Sequence, residues 1–219
     1  MPIRAKLYAA IVLAVLGPLV TIAVALQGQA ELGDSFDEVR ERGRHETLAR
    51  ELKFGVTDVN GWQTANGYDG GASRPRFERS VAAFRADLRQ ARRVLREPGE
   101  QRLLAQLDDE FGRFMNIDAI AYRELRNGRD EAVRRLFLGP EIENFEAMAI
   151  TSERLAHYED RRAGATERSF AETRDVVRKR LIAVALGAGL VIVLLLVTAW
   201  DVARLALERG EPRAPSHRS

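Results

Sequence analysis

Apolar positions along this chain follow two patterns. The stretches 7–26 and 181–200 are apolar almost throughout and carry no charged residue. At about 1.5 Å rise per residue, a helix of either length matches the ~30 Å hydrocarbon core of a bilayer. Both are read as transmembrane helices. Between them, 27–180 is polar and charged, with apolar residues recurring at helical spacing.

Within 27–180 the pattern predicts four helical segments. The first leaves the membrane with an interrupted stripe of Val39, Leu48, Leu52, Val59 and Trp62, and ends near Asn66. NGYDGGASRP, from Asn66 to Pro75, is a turn by composition. The second segment is the clearest. Phe77, Val81, Phe84, Leu88, Ala91 and Leu95 are spaced by fours and threes, the seam of helices packed lengthwise. Glu97-Pro98-Gly99 ends it, because a proline disfavours helical geometry in its predecessor. The third, from about Glu100 to Arg126, has a seam of Leu104, Leu107, Phe111, Phe114, Asp118, Ala121 and Leu125. Asn127-Gly128 stops it, since glycine takes a left-handed cap at little cost. A short helical piece, Asp130 to Leu138, leads to Gly139-Pro140. A last long helix follows, with Ile142, Phe145, Ala149, Ser152, Ala156, Ala163, Phe170 and Val177 on its inner face. It runs without proline into 181–200.

The expected fold is all-α: a membrane-anchored up-down four-helix bundle between two transmembrane helices. The expected domains are a cytoplasmic N-terminus (1–6), a first span (7–26), an extracytoplasmic bundle (27–180), a second span (181–200) and a short, disordered cytoplasmic tail (201–219). Arg4 and Lys6 precede the first span, and Glu31, Asp34, Asp37 and Glu38 follow it. By the positive-inside rule the N-terminus stays cytoplasmic and the bundle is exported. Arg178, Lys179 and Arg180 oppose this, but long domains translocate largely regardless of charge. Ala23-Val24-Ala25 offers the alternative of a cleaved signal peptide, although the apolar run exceeds the usual length of one.

Charge changes the picture by exclusion. With 34 basic and 32 acidic residues the net charge is +2, a surface of mixed sign with no nucleic-acid footprint. There is no cysteine, hence no disulfide and no thiolate chemistry. His45, His157 and His217 are the only histidines. His45 and His157 are the pair that can face each other across a bundle, but neither an HExxH nor a Glu-x-x-His spacing occurs, so no metal or cofactor is expected. The glycines of 66–71 follow a helix and lack phosphate-loop order. No catalytic set emerges.

Three stretches carry a family resemblance: DVNGWQTA (58–65), RFMNIDAIAY (113–122) and LRNGRDEA (125–132). Together with the two spans they resemble the four-helix-bundle sensory domain of methyl-accepting chemotaxis proteins and related bacterial transmembrane receptors, in an actinobacterial form. The resemblance implies a non-enzymatic sensor of extracytoplasmic ligands. Such receptors continue past the second span into a HAMP module and an output domain, for which 201–219 is too short. Output is therefore expected from an unknown signalling partner protein.

The candidate ligand-binding residues are Trp62, Gln63, Phe84, Asp118 and Tyr122. Asp118 interrupts an apolar seam, where a charge is costly unless paired. Either it floors a distal pocket for a cationic or amine-bearing small molecule, walled by Trp62, Phe84 and Tyr122, or it pairs with Trp62, Gln63 or a nearby arginine and fixes helix register. Ala183 with Gly187, and Ala185 with Gly189, are small residues four apart in the second span. They suit either a homodimer contact or packing on the first span. A structural or accessory scaffold that docks through its bundle is the second functional class.

Overall fold

The computed structural model describes residues 3–210. They are all-α, with no strand among the described residues. Helix α1 covers Ile3–Tyr68, α2 Arg74–Val94, α3 Pro98–Arg126, α4 Asp130–Leu136, and α5 Ile142–Gly210; a π-helical turn, Phe137–Glu141, joins α4 to α5. The chain divides into two compact units. One holds Asp37–Arg168; the other holds Phe36 and the residues before it together with Ser169 and those after it.

The first unit is the four-helix bundle. All six residues of the α2 seam are buried, as are Leu104, Leu107, Phe111, Phe114, Asp118 and Ala121 of α3. From α1, Ala49, Leu52, Val56 and Val59 close the core, and Leu48 is buried beside them in sequence. Val39 and Trp62, expected there too, are only half-buried. The turns follow the predicted chemistry. Gly70 and Gly71 take positive φ between α1 and α2, and Gly128 takes φ 71° after α3. The Asp69 carboxylate holds the turn by accepting from Ser73 N–H and Oγ. Glu97 is extended at ψ 150°, as its place before Pro98 requires. Its N–H donates to Glu100 Oε2 at 2.8 Å, so Glu100 caps α3 from inside the bundle.

Two expectations are corrected. Gly139-Pro140 does not break the chain into separate helices. Pro140 has no N–H, and the backbone absorbs its ring by widening into a π turn that leads directly into α5. The inner face of α5 is as expected at Ser152, Ala163 and Val177, which are buried, and at Phe145, Ala149 and Ala156, which pack on the core, but Ile142 is exposed and Met148, Thr151, Leu155 and Glu159 also point inward. Thr151 and Glu159, being polar, carry no apolar mark in the sequence.

In the second unit, α1 and α5 each contain a helix long and apolar enough to cross a membrane. The surfaces of these stretches are apolar and exposed, with Leu186 at 70% and Trp200 at 74%. Gly28 packs against the buried Val177, with no room for a larger side chain. Arg180 Nη1 reaches Glu31 Oε2 at 3.1 Å, and the Phe36 and Phe170 rings lie 6.4 Å apart. Ala183 lines the groove beside Val24 and Gly28, whereas Gly187 and Gly189 face open space. α5 continues helical to Gly210, so the first half of the tail expected to be disordered is helix; 211–219 lie outside the described residues.

Candidate functional site

Asp118 sits on α3 between Phe114 and Ala121 and is buried. A lone carboxylate there would be strongly destabilising, and two helices supply its partners. Arg74, the first residue of α2, is brought over the end of the bundle by the Gly70-Gly71 turn. Its Nη1 donates to Asp118 Oδ1 at 3.1 Å and Oδ2 at 2.9 Å. Gln63 of α1 donates through Nε2 to Oδ1 at 3.4 Å. Arg74 is itself held by Glu78 Oε1 at 3.0 Å and lies 4.3 Å above the Tyr122 ring. Burial still raises the Asp118 pKa, against the lowering effect of Arg74 and Gln63.

A second carboxyl group joins this cluster. Glu141, the last residue of the π turn, is buried. Burial, and then the charge of Asp118, push its pKa up to about 8. The turn is held close to α1, since the Phe137 ring occupies the space a side chain at Gly67 would need. Two acceptors in the cluster have no hydrogen-bond donor, Gln63 Oε1 and Glu141 Oε2, and the buried Asn66 Oδ1, beside Gly71, has none either. Buried polar atoms are normally satisfied, so such atoms mark a place for water or a ligand. The arrangement is rich in acceptors. A group that brings N–H donors, above all a protonated amine, would satisfy it and favour ionised Glu141.

The five candidates from the sequence divide. Gln63, Asp118 and Tyr122 meet around Arg74. Trp62 has other partners: its Nε1 donates to Asp58 Oδ1 at 3.1 Å, Arg76 stacks on its ring at 4.9 Å, and it lines an open groove with Phe54, Gly61 and Ala65. Phe84 is core, with its ring 4.8 Å from Phe111 and against Gly55. Arg74, Asn66 and Glu141 were missed. Arg74 answers the general expectation of a neighbouring arginine. Glu141 had no signal of its own in the sequence, because Pro140 marks a lost hydrogen bond and not the π turn that follows from it. His45 and His157 do not face each other. His157 Nε2 pairs with Glu153 on the surface at 2.9 Å, whereas His45 is buried.

Compared with protein-family models, curated proteins and solved structures, the chain matches none.

Proposed function

We propose that this chain is a membrane-bound, extracytoplasmic sensory module of chemoreceptor type, which binds a small amine-bearing ligand at the Asp118–Glu141 cluster and signals through a partner protein. The observation that carries the reading is the position of Glu141. It is a buried carboxyl with an unpartnered oxygen, one residue before the helix that runs unbroken to Gly210. A ligand that ionises Glu141 and fills its free acceptor acts on the first turn of α5. It shifts the protein between two states only through unequal affinity for them.

The test is a thermal-shift screen of the full-length chain in detergent against small amines and, for contrast, small carboxylates. A ligand that binds only the folded form stabilises it by about 2.7 kcal/mol at 100 times its Kd. The expected result is a rise in melting temperature with an amine that is lost in Glu141→Gln. A screen without any shift overturns the reading and favours the second one, a scaffold that docks through its bundle. That reading has its own observation: the groove of Phe54, Gly61, Trp62 and Ala65 on α1, where Phe54 is 70% exposed. A copurifying partner lost on Phe54→Ser would support it.

A further inference from the structure

A second buried polar cluster lies elsewhere in the bundle and takes no part in the site above. His45 of α1, Glu100 of α3 and Glu159 of α5 are buried and converge from three helices. His45 Nδ1 is 3.8 Å from Glu100 Oε1 and 3.8 Å from Glu159 Oε2. One ligand-type atom from each residue lies within 4.8 Å of the other two. His45 Nδ1, Glu100 Oε1 and both Glu159 oxygens have no hydrogen-bond partner. A histidine and two carboxyl groups, buried and aimed at one another with free lone pairs, form an incomplete set.

We infer that His45, Glu100 and Glu159 bind a divalent transition-metal cation of the zinc or manganese type. With metal–ligand bonds of about 2.1 Å, one ion can touch atoms up to about 4.2 Å apart. His45 Nδ1 already meets this distance to both carboxylates, and small rotations close the remaining gap. Surrounding groups orient the ligands. Glu97 N–H occupies Glu100 Oε2 and leaves Oε1 free. Glu41 Oε1 lies 3.9 Å from His45 Nε2, the ring nitrogen that does not face the two carboxyl groups. Two cations lie in the vicinity: Arg42, whose Nη1 is 3.9 Å from Glu100 Oε1 without a hydrogen-bond partner and whose other amino group pairs with Glu97 at 3.1 Å, and Arg162, which pairs with the same Glu97.

The ligand set also indicates which cation. Calcium takes six to eight oxygens and magnesium a near-ideal octahedron of them, whereas imidazole with carboxylates suits zinc, manganese or iron. Three protein ligands leave a coordination position for water. His45 also lines an open groove with Glu41, Arg44 and Glu51, which gives an ion a path from solvent.

The full-length chain in detergent, stripped with a chelator, is titrated with zinc chloride while bound metal and melting temperature are followed. One zinc per chain and a higher melting temperature are expected, with no comparable effect of calcium. Affinity falls by more than about 10-fold in His45→Gln and in Glu159→Gln. It is unchanged in His157→Gln, whose side chain pairs on the surface. A variant that fails to fold would also lose metal, so cobalt(II) is added to the unmutated chain as well. Visible bands of a nitrogen- and oxygen-ligated ion support the site. A chain that takes up no stoichiometric zinc, or variants that keep it with helicity intact, overturn the inference. The latter outcomes assign the cluster to a carboxyl–carboxylate pair sharing a proton between Glu100 and Glu159. The result is independent of the ligand reading at Glu141.

Discussion

At the scale of single residues, the Asp118 cluster makes two measurable statements. The Arg74–Asp118 pair is buried on the aspartate side, and removing one partner of such a pair leaves an uncompensated charge. Arg74→Met should therefore lower stability by about 3 kcal/mol. The double variant Arg74→Met/Asp118→Leu should recover at least half of that loss, although it strands Gln63 Nε2. Melting midpoints of the three proteins check the order. A double variant no more stable than the single one would remove the pair from the account of the fold. The second statement concerns pH. The Glu141 pKa rises from an ordinary 4.5 to about 8 on folding. The folded state holds this proton where the unfolded chain releases it. Glu141 thus stabilises fully below about 4.5, and its contribution is lost as pH rises through about 8. Glu141→Gln should flatten the decline in stability across that window. Identical pH profiles for variant and parent would refute the shift. Asp118 was legible in the sequence because it breaks an apolar seam. Glu141 and Asn66 were not, because both lie beside turns, after Gly139-Pro140 and before Gly67, outside any regular apolar seam, and only folding buries them.

At the scale of elements, the sequence is most legible where one face is apolar and regular. The α2 seam from Phe77 to Leu95 shows this, since every member is buried. It is least legible where a polar residue has a structural task. Glu100 caps α3 while buried at 0% exposure, and Thr151 donates to Glu110 Oε1 at 3.1 Å inside the bundle. Neither carries an apolar mark. The π turn at Pro140 likewise reads as a break, because a proline signals the loss of a hydrogen bond but not the way the backbone absorbs it. Two glycines test how tightly the elements are fitted. At Gly67 an added Cβ would collide with the Phe137 ring, whereas at Gly164 in α5 it would meet nothing within 4 Å. Gly67→Ala should destabilise by about 1–3 kcal/mol, because it pushes the π turn from α1. Gly164→Ala should stabilise by about 0.4–1 kcal/mol through better helix propensity and a less free unfolded chain. Thermal melts of the two variants should move in opposite directions. A shift of the same sign would show that the contact at Gly67 yields easily.

At the scale of the whole molecule, the expected arrangement puts the bundle on one side of a membrane. The apolar surfaces of the two long helices are not covered by the rest of the described chain, and a bilayer of about 30 Å hydrocarbon thickness suits them. By the positive-inside rule, charge is expected to set the direction. Arg4 and Lys6 precede the first apolar stretch, and acidic residues follow it. The basic run at 178–180 opposes this, but long domains translocate largely regardless of charge. The expected topology has both chain ends inside and the bundle outside, with the first span dominant. Alkaline phosphatase, which is active only when exported, reads this directly. Inserted at the exposed Gly70 of the α1–α2 turn it should be active, and fused after Gly210 it should be inactive. Arg4→Glu/Lys6→Glu should mix or invert the two signals, because it removes the charges that retain the N-terminus. An active fusion after Gly210 in the unmutated chain would place the last helix end outside, and the sensory reading would then lack a route to a cytoplasmic partner.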